Sequence, residues 1–167
     1  MVASQPQLAS LSPEYFHVAV NIRNRWGEGQ VHLGIPLAQV EAVERLSLHL
    51  ICPLPQLPAA VRGVRQQRGS LVWVVDLGLL LGLPVAVSQG QLQQPALILR
   101  SGSTRLTCLV HQLYGIVPQG SRKLQPLPEL HPQQRRMIQG MLPDRQVPLA
   151  IVDGEGLWAA LRELGSG

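Results

Sequence analysis

Hydrophobic and polar residues alternate along the first part of the chain. Between Tyr15 and Arg23 every second residue is apolar, with Val18 and Val20 predicted to point inward and Ala19 outward. A period of two is typical of a half-buried strand. The turn sequence WGEG follows, and residues 31–37 alternate again. This region is therefore predicted to form a β-hairpin.

The same criteria predict further short elements. The β-branched run Leu71–Val75 is predicted as a strand, and Asp76 is placed to cap a helical turn that stops at Gly82. Residues 37–43 form either one helical turn or a bent strand, and the polar segment 85–95 is the predicted internal boundary. Additional strands are predicted at residues 96–99, 105–110, 114–118 and 147–152, with a last helix after Asp153. Many short strands separated by turns indicate small β-barrels.

The segment before Leu71 is polar and rich in arginine. Residues 61–64 are predicted to enter a turn, and residues 65–70 to form a surface loop closed by glycine. Arg62 and Arg68 are each followed by a glycine, Gly63 and Gly69. We interpret these residues as a protein-contact patch, because arginine is enriched at interface hot spots and pairs with carboxylates. The alternative is a basic loop that only aids solubility.

This stretch resembles the signature of the CheW-like adaptor family of bacterial chemosensory arrays. The matching residues are Arg62-Gly63-Val64, Arg68-Gly69, Leu71, Val74-Val75-Asp76-Leu77 and Leu81-Gly82. Gln66 and Trp73 depart from the pattern, which usually has Asn and Pro there. The later segment RLTCLVHQLYGIV resembles another family strand, with Cys108 and Gln112 in place of the usual Gly and Asp.

The resemblance implies a mainly β fold of two five-stranded SH3-like β-barrel subdomains with short helices and a C-terminal helix. It covers roughly Tyr15 to Leu164. The implied organisation is a flexible tail at residues 1–13, one CheW-like domain at 14–164 with its internal boundary near 85–95, and a flexible end at 165–167.

The resemblance also implies a function. The family consists of non-enzymatic adaptors that couple methyl-accepting receptors to a CheA-type histidine kinase, for flagellar or pilus-based motility. The implied partners are the kinase regulatory domain and the cytoplasmic tip of the receptors, and the implied location is the cytoplasm, at membrane receptor arrays. Arg62, Gly63, Arg68 and Gly69 match the family's kinase- and receptor-coupling loop. Val40 matches a receptor-contact position, although a core valine explains it equally well.

The composition of the chain narrows the possible classes of protein. The chain has a net charge of +4, 46% hydrophobic and 14% charged residues, which is typical of a folded domain with an aliphatic core. A small nucleic-acid-binding β-barrel would fit the basic charge, but the arginines are spread out and not interleaved with aromatic residues. No signal peptide or membrane-spanning segment is expected, because the longest apolar run contains Asp76 and Pro84.

No local motif indicates catalysis or a cofactor. The five histidines fall in different predicted elements, and Cys52 and Cys108 are isolated, so free thiols and structural histidines are expected. A small hydrolase stays open only as a triad assembled in space. Glu41 and Glu44 are three residues apart and are interpreted as a solvated pair on one helical face.

Overall fold

A computed structural model describes residues 12–165 of the chain. It consists of ten strands and three short helices within this range. The strands are β1 (Glu14–Asn24), β2 (Gly27–Pro36), β3 (Val40–Ser47), β4 (Val61–Gln67), β5 (Ser70–Asp76), β6 (Gln93–Ser101), β7 (Thr104–Leu109), β8 (Gln112–Pro118), β9 (Ile138–Leu142) and β10 (Leu149–Val152). The helices are α1 (Leu77–Leu80), α2 (Pro132–Met137) and α3 (Gly154–Leu164).

The strands form two five-stranded mixed sheets. The first sheet has the order β8-β1-β2-β10-β9, and the second has the order β3-β6-β7-β5-β4. One parallel pair occurs in each sheet, β2 with β10 and β5 with β7. The predicted fold class is confirmed: the protein is mainly β, with two five-stranded units, short helices and a C-terminal helix.

The segment predicted as the internal boundary connects two elements of the second sheet. The segment 85–95 leads from α1 to β6, and both adjoining strands, β5 and β6, belong to the second sheet. The chain crosses between the sheets after β2 and after β7 instead. Segment 85–95 begins by packing on the first sheet, where Ala86 N donates to Asn21 O at 2.9 Å. The polar composition of the segment indicated a linker, but this backbone hydrogen bond fixes the start of the segment to β1.

One large apolar core lies between the sheets and includes α3. Val18 and Leu33 come from the first sheet, Val75 and Leu97 from the second, and Leu157 from α3. Each sheet also has a smaller cluster of its own. These clusters are Tyr15, Leu142, Leu149 and Ile151 in the first sheet, and Leu46, Val74, Ala96 and Leu109 in the second. Because both faces are covered, the one-sided alternation predicted for β1 is wrong at Ala19, which is fully buried.

The second sheet curls until its outer strands approach each other. Arg65 Nη1 on β4 lies 2.5 Å from Glu44 Oε1 on β3, and the segment after β3 pairs with β4 through a bridge between Cys52 and Val64. Joining the outer strands in this way protects the edges that an open sheet would expose.

Several local predictions need correction. Residues 61–67, predicted as a turn and the start of a loop, form β4, because pairing with β5 supplies the ladder that sequence alone does not show. Residues 135–141, predicted to approach a turn, form the end of α2 and most of β9. The ambiguous segment 37–43 contains both proposed elements, since a 3-10 turn at Leu37–Gln39 runs into β3.

The chain termini are only partly described. Of the predicted tail, residues 1–11 lie outside the described range, as do residues 166 and 167 of the predicted flexible end. Gly165 follows α3, and its N–H bonds to Leu161 O at 3.3 Å. Within residues 12–165, no helix is both long and apolar enough to cross a membrane.

Both predicted helix caps are formed. The carboxylate of Asp76 accepts a hydrogen bond from Leu79 N at 3.0 Å, and that of Asp153 accepts one from Gly156 N at 3.1 Å. Each bond satisfies a backbone donor that has no partner inside its helix.

The Asp153 cap gives a testable prediction. Asp153→Ala is expected to lower the free energy of unfolding by about 1 kcal/mol, because it removes the acceptor at the start of α3. Asp153→Asn keeps an acceptor and is expected to retain most of the stability. Urea unfolding curves of the two variants and the wild type measure this difference. Equal midpoints for the Ala variant and the wild type would show that α3 does not depend on this cap.

Candidate functional site

The predicted contact residues lie on the β4–β5 hairpin. β4 and β5 are joined by only two residues, Arg68 and Gly69, whose φ angles are 47° and 80°. Two-residue hairpin loops with positive φ at both positions match the twist of the strands, and glycine adopts this conformation without strain. The loop predicted at residues 65–70 is therefore a tight turn on a rigid ribbon, with the Arg68 side chain exposed.

Arg62 and Arg68 lie at opposite ends of β4. Arg62 is exposed at the start of β4, where the register shifts between Val61 and Gly63. Five residues of β4, 63–67, lie between it and Arg68, and six steps along an extended chain correspond to roughly 20 Å at a rise of about 3.3 Å per residue. The prediction that one loop holds both arginines is wrong, because the intervening residues belong to β4.

Gly63 has a structural reason for being glycine. Its φ is 141°, and a Cβ at this position would lie 2.1 Å from the carbonyl oxygen of Cys52. The adjacent residue, Val64, forms two backbone hydrogen bonds with Cys52, at 2.7 and 3.0 Å. Gly63 therefore allows the segment after β3 to approach β4 closely. Gly69, by contrast, has open space around its Cα.

Arg65 is buried in β4, although it falls in the predicted polar loop at residues 65–70. Its side chain is only 7% exposed and pairs with Glu44, and its Nη2 also donates to Gln67 Oε1 at 3.3 Å. The predicted helical face with Glu41 and Glu44 is wrong, because both residues lie in β3 and each pairs with arginine.

A basic cluster surrounds Glu41, and sequence reasoning missed it. Arg105 donates two hydrogen bonds to the Glu41 carboxylate, from Nε at 2.7 Å and Nη2 at 3.0 Å. Arg100 Nη1 lies 3.9 Å from the same carboxylate. The hydrogen bonds from Arg105 lower the pKa of Glu41, and the charges of Arg100 and Arg68 act in the same direction. Three guanidinium groups therefore face a single carboxylate at this end of the sheet.

Val40 begins β3 directly after the 3-10 turn. It is half-buried, pairs with Leu99 of β6 and packs against the main core. Core packing thus accounts for a valine here. A cavity of about 600 Å³ opens beside the preceding turn, where the chain passes from the first sheet to the second. Its walls include Tyr15, Pro36, Leu37 and Ala38.

Two of the histidines, His17 and His32, contact each other in the first sheet. His17 Nε2 and His32 Nδ1 share a hydrogen bond of 2.8 Å between neighbouring strands, and the ring of Tyr114 stacks on His17 at 4.4 Å. No group of three or more His, Cys, Asp or Glu side chains is placed to hold a metal ion in the part of the chain that the structure describes. Cys108 is buried, and this burial raises the pKa of its thiol well above the usual range. Cys52 is exposed, and both thiols are free.

The histidine pair predicts a pH dependence. Burial lowers the pKa of both His17 and His32; for His17 the charge of His32 adds to this effect, and the charge of Asp144 opposes it. The folded state therefore binds protons less readily than the unfolded chain. Stability should be constant above the ordinary histidine pKa of about 6.5 and should fall as the pH decreases below it.

Urea midpoints measured between neutral and mildly acidic pH check this expectation. The double variant His17→Gln/His32→Gln should lose part of the slope that the wild type shows. His49→Gln, at an exposed position, is the control and should keep the wild-type slope. An unchanged slope in the double variant would assign the pH dependence to other groups.

The fold defines the class of protein, a mainly β domain built from two five-stranded sheets. Residues 25–162 match the family model of the CheW-like domain, and the chain therefore belongs to the CheW-like family. It is a scaffold or adaptor domain of chemotaxis signal transduction and is not an enzyme.

A solved structure shows the same fold. The chain is similar to the scaffolding protein TtCheW from Thermoanaerobacter tengcongensis, with a TM-score of 0.64 and 15% sequence identity, over 83% of this chain and 88% of that chain. No curated protein matches the sequence.

Proposed function

We propose that the chain couples methyl-accepting receptors to a CheA-type histidine kinase and acts by fixing their geometry. The observation that carries this proposal is the β4–β5 hairpin, which presents the Arg68 side chain on a two-residue turn in a CheW-like domain. Arg68 forms no hydrogen bond or ion pair with the other described residues. It is thus available to a carboxylate of the kinase regulatory domain.

The receptor tip is proposed to bind at the junction of the two sheets. The cavity beside Leu37 and Ala38 and the start of β3 at Val40 support this assignment. An amphipathic helix presents apolar residues at helical spacing, and a cavity with apolar residues in its wall accepts such a face. The protein itself is proposed to be cytoplasmic and to reach the membrane only through the receptor arrays.

Two titrations test the proposal. The full chain is titrated with a CheA-type regulatory domain and, separately, with a soluble receptor-tip fragment, and saturable binding of both is expected. Ala38→Glu places a charge at the lip of the junction cavity on an exposed residue, and it should weaken receptor binding while leaving kinase binding intact. Failure of the folded wild type to bind either partner would refute the adaptor function.

The alternative, a nucleic-acid-binding barrel, predicts binding that weakens steeply with salt. Many of the arginines that could contact nucleic acid are already paired with carboxylates in the described structure, among them Arg23, Arg65, Arg105, Arg122 and Arg136. Such pairing reduces the continuous positive surface that an extended phosphate backbone needs. A titration with single-stranded oligonucleotide at low and high salt distinguishes the two functions.

A further inference from the structure

A polar cavity lies between the tips of two neighbouring hairpins of the second sheet, β4–β5 and β6–β7. Its volume is about 280 Å³. The polar side chains in its wall all carry hydrogen-bond donors, and none is a carboxylate: Gln67, Arg68, Ser70, Ser103, Thr104 and Arg105. A wall of guanidinium, hydroxyl and amide donors suits an oxyanion, and arginine in particular binds phosphate through paired hydrogen bonds.

The two arginines of this cavity have donors to spare. Arg68 forms no hydrogen bond or ion pair within residues 12–165, although its charge acts on Glu41. Arg105 uses Nε and Nη2 to hold Glu41, which leaves its Nη1 without a partner among the described residues. Glu41 thereby orients Arg105 without occupying all of its donors.

A second, apolar cavity adjoins the first. Its volume is about 400 Å³, and it shares Trp73, Thr104 and Arg105 with the polar cavity. It lies between the sheet and α3, and its apolar wall residues include Leu57, Val61, Leu106, Trp158 and Leu161. Trp158 is only 9% exposed, and its indole Nε1 has no hydrogen-bond partner among residues 12–165.

Trp73 stands where the two cavities meet. Its side chain is 46% exposed, although the last three residues of β5 are buried. Leu71, two residues earlier on the same strand, is 74% exposed. The indole therefore gives this chain a flat aromatic surface beside a pocket of phosphate-binding donors.

We propose that the two cavities form one binding site for a mononucleotide, with the phosphate between Arg68 and Arg105 and the base against Trp73. The cavities are of the size that small-ligand sites have. Stacking of a base on an aromatic side chain contributes about 1–3 kcal/mol. The two arginines favour a phosphorylated nucleotide over the uncharged nucleoside. This inference does not depend on the kinase or the receptor.

The test is calorimetric titration of the full chain with AMP and GMP, compared with adenosine and with inorganic phosphate. At least one nucleotide is expected to bind saturably and at least about tenfold more tightly than either fragment, since each fragment fills one cavity only. Equal affinity for AMP, GMP and inorganic phosphate would overturn the proposal, as would the absence of saturable nucleotide binding at millimolar concentration.

Variants locate the site. Trp73→Ala removes the aromatic surface, and Arg68→Asn removes the charge while keeping a residue that tolerates positive φ. Each should weaken binding of the preferred nucleotide about tenfold, whereas Trp26→Ala, at the exposed tip of the β1–β2 hairpin, should bind like the wild type. Circular dichroism establishes that each variant is folded. Unchanged affinity in both Trp73→Ala and Arg68→Asn would also overturn the proposal. Loss of nucleotide binding in Trp73→Ala with kinase binding intact would separate this inference from the adaptor function, because Arg68 is also assigned to the kinase contact.

Discussion

Arg68→Glu is expected to weaken binding of a CheA-type regulatory domain by about 30-fold or more. A hot-spot residue contributes at least about 2 kcal/mol, and reversing its charge replaces attraction by repulsion. The effect should be large because the two-residue turn holds Arg68 in one place, so no loop movement can compensate. Calorimetric titration of the regulatory domain with wild type and variant measures the change.

Two matched charge reversals make the test specific. Arg62→Glu changes the same charge at the opposite end of β4, and Arg25→Glu changes it on the β1–β2 hairpin of the other sheet. A contact centred on the Arg68 turn predicts that Arg68→Glu has the largest effect and Arg25→Glu the smallest. Equal weakening by all three would indicate a general charge effect, and no weakening by Arg68→Glu would remove this turn from the interface.

The sequence predicted the elements whose signals are local. The hairpin of β1 and β2, the strand β5 and the caps at Asp76 and Asp153 each depend on residues close together in the chain. Period-two alternation, β-branched residues and a capping carboxylate are such local signals. The family pattern added the arrangement into two five-stranded units, which no local signal specifies.

The outer strand β4 of the second sheet was not predictable in this way. Residues 61–67 carry four polar side chains, two arginines and two glutamines, so local chemistry indicates a loop. They form a strand because β5 pairs with them, and Arg65 is buried because Glu44, on a strand distant in sequence, lies opposite. A long-range ion pair of this kind overrides propensity, and one sequence alone does not reveal it.

The basic cluster around Glu41 was not predictable from the sequence for the same reason. Its members come from β3, β6 and β7 and from the turn after β4. One part of it had a usable signal: Arg100 and Arg105 flank the turn of a predicted hairpin, and antiparallel pairing places them opposite each other. Their approach to Glu41 required the pairing of β3 with β6, which connects residues far apart in the chain.

Gly63→Ala is expected to lower the free energy of unfolding by about 3 kcal/mol. The methyl group would meet the Cys52 carbonyl oxygen at 2.1 Å, in a backbone conformation with φ of 141° that side chains rarely adopt. Such strain and such overpacking each cost about 1–3 kcal/mol. Because the obstructing atom belongs to backbone that is itself bonded to Val64, it cannot move without breaking that bridge.

Urea unfolding measures this loss, with Gly29→Ala as the matched control. Gly29 is a strand glycine of β2 at an exposed position, and a Cβ there would only touch Ile22, at 4.0 Å. The control should change stability by no more than about 0.5 kcal/mol. Equal stability of Gly63→Ala and the wild type would mean that the Cys52 segment packs less tightly on β4 than described. The predicted result would assign Gly63 to the architecture of the hairpin, so that any loss of partner binding in this variant would follow from displacement of β4 rather than from a lost contact.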